Sequence, residues 1–277
     1  AWVMPLSRMA TWVRPDEYHQ TFNFAFLKSQ WNRSELMAVV DESIAEFSHV
    51  GAPATWVLSN HDVIRHTTRL SYDKVPPQGD GIGPDYPQPD EALGLKRGRA
   101  ASAMMLGLPG GAYLYQGEEL GLPEHTMLEG SVRQDPTYFR TNGERVGRDG
   151  CRVPIPWESD QNAFGFSTTG KSWLPQPENF RNYARATQDG VVGSTLEMYK
   201  SLLQLRKHHA LGHGSLEWRN ELVPAGACAY QNGPVLVVVN FTNEPFTLPA
   251  GELLVTTQLD LAAEGFLEAD QVAWIRA

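Results

Sequence analysis

The 277-residue sequence predicts an α/β domain of parallel βαβ units followed by a small antiparallel β-sandwich. Two patterns carry that prediction. Up to Tyr115, short apolar runs alternate with helical periodicity, as successive βαβ units require. From about Gly212 the character changes to short alternating runs with turn residues at roughly ten-residue spacing, the signature of a sandwich. Between them, after Gly121, lie about seventy residues dense in Gly, Pro, Asn and Asp, a length that points to function rather than passive linkage.

Phe22–Phe26 alternates large and small residues and reads as a strand. Ser34 is placed to cap a helix over Glu35–Phe47, whose apolar face is Leu36, Val39, Val40, Ile44 and Phe47. Ala54–Leu58 is a second, fully buried strand. Pro76–Pro89 is a long irregular loop. Residues 91–107 form a helix rich in small residues, and Pro109-Gly110-Gly111 turns it into a third strand, Ala112–Tyr115. Ser194 caps a last helix, Thr195–His209. The sandwich strands are Ser215–Trp218, Ala227–Tyr230, Val235–Phe241, Phe246–Leu248, Leu253–Thr257 and Val272–Ile275.

The net charge of −9 and the absence of a Lys/Arg run argue against a nucleic-acid partner. No apolar run reaches about 18 residues, so no membrane partner is expected. Two cysteines, Cys151 and Cys228, make no disulfide framework and fit a reducing, cytoplasmic setting. There is no Gly-rich phosphate loop and no His/Cys cluster at metal spacing, so neither a cofactor nor a metal is expected.

The chemistry-bearing stretch is Ser59-Asn60-His61-Asp62-Val63-Ile64-Arg65-His66, directly after the buried run. It sets an imidazole and a carboxylate side by side, which suits a polar, neutral substrate such as a sugar. Asp62 reads either as a site carboxylate or as a helix cap. Asn60 reads chiefly as a turn former. Arg65 reads as a solvated helix charge or a substrate-side group. Arg148 and Asp149 read as a supporting ion pair. Glu118 and Glu119 point apart along a strand exit and read as structural. Tyr18, His19, Phe22 and Phe24 read as packing, and Cys151 has no neighbouring base.

Four segments together resemble the α-amylase family of glycoside hydrolases, in its α-glucosidase and oligo-1,6-glucosidase branch. Thr55–Asp62 resembles the seventh barrel strand and its His-Asp pair. Gly111–Gly121 resembles the eighth strand and its exit. Gly147–Trp157, Gly-Arg-Asp-Gly-Cys-Arg-Val-Pro-Ile-Pro-Trp, resembles the branch's Arg-Asp…Arg-x-Pro-x-x-Trp segment, and Trp173–Leu211 resembles the same branch. The resemblance implies the C-terminal half of a (β/α)8 TIM barrel over residues 1–212, from the end of strand five to strand eight. It implies a C-terminal β-sandwich over residues 213–277.

The resemblance also implies roles. Asp62 becomes the third carboxylate, which stabilises an oxocarbenium-like transition state, and His61 donates to glucosyl hydroxyls. Arg152 closes the glucose pocket, where its rigid fork serves carboxylate and hydroxyls together. Arg65 lies near the acceptor side. The expected partners are small α-glucosides.

A retaining glycosidase needs two further carboxylates about 5 Å apart. The resemblance places them before Ala1. In the family a small residue and an aromatic come directly after the acid/base glutamate, and Ala1-Trp2-Val3 has that form. The chain is therefore expected to be a fragment, inactive alone and completed by the N-terminal half of the barrel. The alternatives are an oligo-1,6-glucosidase, a trehalose-forming isomerase or a sucrose-acting relative. A non-catalytic family member and a carbohydrate-binding module are disfavoured by the intact Asn-His-Asp segment and by isolated sandwich aromatics.

Overall fold

The computed structural model describes residues 4–74, 76–77, 79–258 and 265–276; Ala1–Val3 lie outside the described residues. In chain order the helices are α1 (Leu6–Ala10), α2 (Phe24–Lys28), α3 (Arg33–Ser48), α4 (His66–Arg69), α5 (Glu91–Gly107), α6 (Pro136–Arg140), α7 (Asp149–Arg152), α8 (Arg185–Gln188) and α9 (Thr195–His208). The strands are β1 (Thr55–Val57), β2 (Gly111–Tyr113), β3 (Glu217–Trp218), β4 (Cys228–Asn232), β5 (Val235–Asn240), β6 (Phe246–Thr247), β7 (Glu252–Thr256), β8 (Phe266–Leu267) and β9 (Gln271–Arg276). They divide into two compact units: Ala1–Leu58, Ala100–Tyr113 and Lys200–Ala277 form the first, and Ser59–Arg99 with Leu114–Tyr199 the second.

In the first unit β1 and β2 pair in parallel, with Thr55 opposite Gly111 and Val57 opposite Tyr113. Parallel neighbours need a crossover between them, and the intervening chain carries α4 and α5. Trp56 is fully buried and donates its indole N–H to the Pro109 carbonyl at 2.6 Å.

Two expectations are corrected here. Phe22–Phe26 is not a strand: the Asn23 side chain accepts the Phe26 N–H at 3.0 Å and starts helix α2, which buries Phe26 and Leu27. Alternation over so few residues also satisfies one helical turn, and the cap decides. The α3 cap is Asn32, which accepts the Glu35 N–H at 3.1 Å, and not Ser34. Either side chain is a good cap, so local propensity did not separate them.

The first unit's largest sheet has the order β3-β4-β5-β9-β7, every neighbour antiparallel, and β6 pairs with β8. Val235–Asn240 is buried at every position. Ala229, Leu236, Val238, Leu267, Ala273 and Ile275 form one core cluster. Tyr230 and Trp274 are buried completely, with their polar atoms satisfied by the carbonyls of Met104 and Ala103 on α5. Full burial of each such apolar side chain contributes about 1.5–3 kcal/mol. Gly107 makes the approach possible: a Cβ there would lie 2.5 Å from the Tyr230 hydroxyl.

The second unit has no strand among its described residues. Its apolar core is Leu122, Leu128, Val153, Phe164, Leu174 and Phe180. Short helices and turns fill the Gly- and Pro-dense stretch that the sequence left without periodicity. Ser194 caps α9 as expected, accepting the Glu197 N–H at 3.2 Å.

Candidate active site

The second unit brings Asp62, His61, Arg148 and Arg152 together. The segment that presents Asp62 is closed by its own side chains. Ser59 Oγ accepts the His66 N–H at 2.9 Å and lies 3.0 Å from His66 Nδ1. Asn60 Oδ1 accepts the Asp62 N–H at 2.8 Å, the local turn expected of it. Burial, then the Arg69 charge, holds the His66 ring down to about 3, so it stays neutral as a packing and hydrogen-bonding group.

Arg148 precedes α7 and Arg152 ends it, so one short helix delivers both guanidinium groups. Arg148 Nη1 donates to Asp62 Oδ1 at 2.6 Å and Arg152 Nη2 donates to the same oxygen at 3.2 Å. Arg152 Nε donates to the His61 carbonyl at 2.8 Å, which pins the backbone beside the carboxylate. His61 Nε2 stands 3.5 Å from Asp62 Oδ2. The Asp62 side chain is 33% exposed and the His61 ring 69%. The result is an accessible carboxylate bordered by three cationic or hydrogen-bonding side chains. Such an arrangement can accept hydrogen bonds from hydroxyl groups and can face a developing positive charge with a fixed negative one.

Two readings of the sequence change. Arg65 is neither solvated nor open to a substrate. It is 2% exposed, donates to the carbonyls of Gln116 at 2.7 Å and Cys151 at 2.9 Å, and lies over the Tyr115 ring. Its own N–H donates to Glu124 Oε2 at 3.0 Å. A cation with an apolar stem and no local partner looks the same in sequence whether it is buried or exposed. Arg148 and Asp149 do not pair with each other. Adjacent side chains diverge, so Arg148 reaches Asp62 and Asp135, while Asp149 Oδ2 accepts the N–H groups of Gln134 and Asp135 at 2.8 and 2.9 Å. Arg152 makes its carboxylate contact with Asp62 and stands 3.9 Å from Asp135.

Asp135 is the residue that sequence reasoning missed. Its side chain is fully buried, and Oδ2 accepts from the Arg148 N–H at 2.9 Å and Arg148 Nε at 2.6 Å. Burial alone would raise its carboxyl, but the Arg148 and Thr137 hydrogen bonds outweigh it and hold it well below the usual carboxylate range. The same bonds raise Arg148 above its ordinary value, chiefly through Asp135. The only local signal was Asp135-Pro136, which announces the α6 N-cap and nothing about a partner. Glu124 was missed for the same reason. Burial pushes the Cys151 thiol well above its usual value, so it is not a nucleophile. Glu118 is buried and Glu119 accepts the Gly117 N–H at 2.8 Å, as structural residues do.

Among the described residues no group of three or more His, Cys, Asp or Glu is arranged to hold a metal ion. Among them no helix is long and apolar enough to cross a membrane.

Comparison with known proteins gives the family. Residues 6–214 match the family description "Alpha amylase, catalytic domain". The chain is 33% identical over 207 residues to a probable alpha-glucosidase of Rhizobium meliloti (strain 1021), covering 73% of this chain and 33% of that protein. It is 28% identical over 232 residues to an alpha-glucosidase of Apis mellifera, covering 80% and 36%. The chain thus spans about a third of the length of these relatives. Among solved structures it is similar to the alpha-glucosyl transfer enzyme XgtA, with TM-score 0.72 and 26% identity over 98% of this chain and 49% of that one. It shares a fold with the trehalulose synthase MutB from Pseudomonas mesoacidophila MX-45, with TM-score 0.72 and 24% identity over 98% and 53%. The match over residues 6–214 leads to one conclusion: this chain belongs to the α-amylase family.

Proposed function

We propose that the protein carrying this chain is an α-glucosidase. It releases terminal α-linked glucose from short α-glucosides, with retention, through a covalent glucosyl-enzyme. The observation that carries the reading is the accessible Asp62 carboxylate, gripped on one oxygen by Arg148 and Arg152 with the His61 imidazole beside the other. In the proposal Asp62 binds glucosyl hydroxyls and steadies the oxocarbenium-like transition state, His61 donates to those hydroxyls, and Arg152 closes the pocket. Asn60 shapes the turn. Residues 1–212 form the C-terminal part of a (β/α)8 barrel and residues 213–277 a β-sandwich domain. Buried, unpaired Cys151 and Cys228 are consistent with a cytoplasmic setting.

Double displacement also needs a nucleophile and an acid/base about 5 Å apart. The proposal assigns neither to residues 1–277 and gives both to the N-terminal half of the barrel. The test is glucose release from maltose and from p-nitrophenyl α-glucoside by the intact protein. Asp62→Asn is expected to lower kcat by about a hundredfold or more, the scale of losing one fixed electrostatic group; wild-type kcat would sink the role given to Asp62. In the same assay residues 1–277 alone are expected to release nothing, and release would overturn the placement of the other two carboxylates.

Glucosyl transfer is a second reading, favoured by the 26% identity to a structure described as an alpha-glucosyl transfer enzyme. A transglycosylated or isomerised disaccharide as the main product, in place of glucose, would select it.

A further inference from the structure

We propose that Asp135 is a positioning residue that keeps one oxygen of Asp62 free for substrate by holding the fork of Arg148. The inference rests on the reading of Asp62 given above and adds a residue that reading does not use.

An arginine facing a carboxylate prefers to close on it with two parallel N–H···O bonds. Arg148 does not do so at Asp62. Only Nη1 reaches Asp62, on Oδ1 at 2.6 Å. Its other two nitrogens donate to Asp135: Nε to Oδ2 at 2.6 Å and Nη2 to Oδ1 at 3.3 Å. The fork therefore closes on Asp135, and Asp62 receives the guanidinium end-on. Asp62 Oδ2 is left with His61 Nε2 at 3.5 Å as its neighbour among the described residues.

Several features fix Asp135 for this task. Its side chain is fully buried and cannot follow Arg148 outward. The Arg148 N–H at 2.9 Å and the Thr137 N–H at 2.9 Å hold its two oxygens in place. Its own N–H donates to buried Asp149, which fixes the backbone behind it. Gly147 has φ +75°, and a Cβ there would lie 2.9 Å from Asp135 Cβ and Cγ, so glycine is required for Arg148 to come alongside. Charge makes the competition sharp. Two carboxylates, Asp62 and Asp135, face two guanidinium groups, Arg148 and Arg152, whose separations run from 2.6 to 3.9 Å. Neutralising Asp135 leaves Asp62 alone against both cations. Arg148 then closes on Asp62 and occupies the lone pairs that a sugar hydroxyl would use.

The test uses Asp135→Asn in the intact protein, with Arg148→Lys as a second variant that leaves the buried carboxylate in place. Asp135→Asn is expected to raise KM and to lower kcat/KM about tenfold or more. Near-wild-type kcat/KM in that variant overturns the proposal. In an Arg148→Lys background the same change is expected to have little further effect on kcat/KM, because no fork remains to be held; additive losses, which a purely structural role would give, also overturn it. The crystal structure of Asp135→Asn decides the matter independently of activity. Both Nη atoms on Asp62 support the proposal, and an unchanged end-on Arg148 refutes it. That arm stands even if the intact protein hydrolyses no α-glucoside, which would count against the α-glucosidase reading alone.

Discussion

The two units are held together by different physics. The first is closed by apolar packing, with β5 buried along its whole length and Tyr230 and Trp274 seated under α5. The second has an apolar cluster of its own but also buries ionised or ionisable groups: Arg65, Arg69, Arg99, Glu118, Glu124, Asp135 and Asp149. Packing is non-directional and makes a scaffold. Buried polar groups demand directed partners, and the loops that supply those partners are the ones that carry Asp62 and Arg148. The difference explains how a stretch without periodicity still holds a site in one geometry.

The largest expected effect is in the first unit. Trp274→Ala removes a fully buried indole together with its N–H bond to the Ala103 carbonyl, and it is expected to cost about 4 kcal/mol. Urea unfolding measures it, and a loss no greater than that of a surface substitution would break the view that packing dominates there. In the second unit Arg65→Met keeps volume but abandons the carbonyls of Gln116 and Cys151, with an expected cost of about 3 kcal/mol. Methionine tolerated at no cost would show that directed bonds are dispensable in that unit.

The smallest effect is a dependence on pH confined to the second unit. Burial pushes Glu118 up to about 8 and Glu124 up to about 7, from 4.5. Folded, these acids keep protons that the unfolded chain releases, so the stability they supply is complete below pH 4.5 and is lost as pH rises through 8. Burial holds His66 down to about 3 and His125 to about 4, from 6.5. Their contribution is complete above pH 6.5 and is lost as pH falls toward 4. The two slopes offset between 4.5 and 6.5, so stability declines on either side of that window. From pH 6 to pH 8.5 the expected loss is about 2 kcal/mol, and Glu118→Gln should flatten it in urea midpoints. An unchanged slope in that variant would move the pH dependence elsewhere.

The same contrast governs what the sequence disclosed. C-terminal strands such as β4, β5 and β9 were legible because short apolar runs rich in β-branched residues, set between turn residues, are a local property. The parallel β1–β2 pair was legible because two short apolar runs flank a helix. Asn60-His61-Asp62 was legible because consecutive residues cannot be separated in space. The Asp135–Arg148 pair was not, since its members lie 13 residues apart with no helical or strand period linking them. Arg65 was misread because its partners are backbone carbonyls, which every sequence contains and none advertises. Helix α2 turned on one side-chain bond from Asn23.

The Arg152–His61 contact has a consequence in time. Arg152 holds the His61 carbonyl at 2.8 Å, yet the imidazole beyond it is 69% exposed. Backbone and ring of one residue therefore live on different clocks. The peptide moves only when the arginine lets go, while an exposed side chain changes rotamer in picoseconds to nanoseconds. In the proposed role, a hydroxyl arriving at Asp62 would meet an acceptor that is already still and a donor that finds it within the encounter.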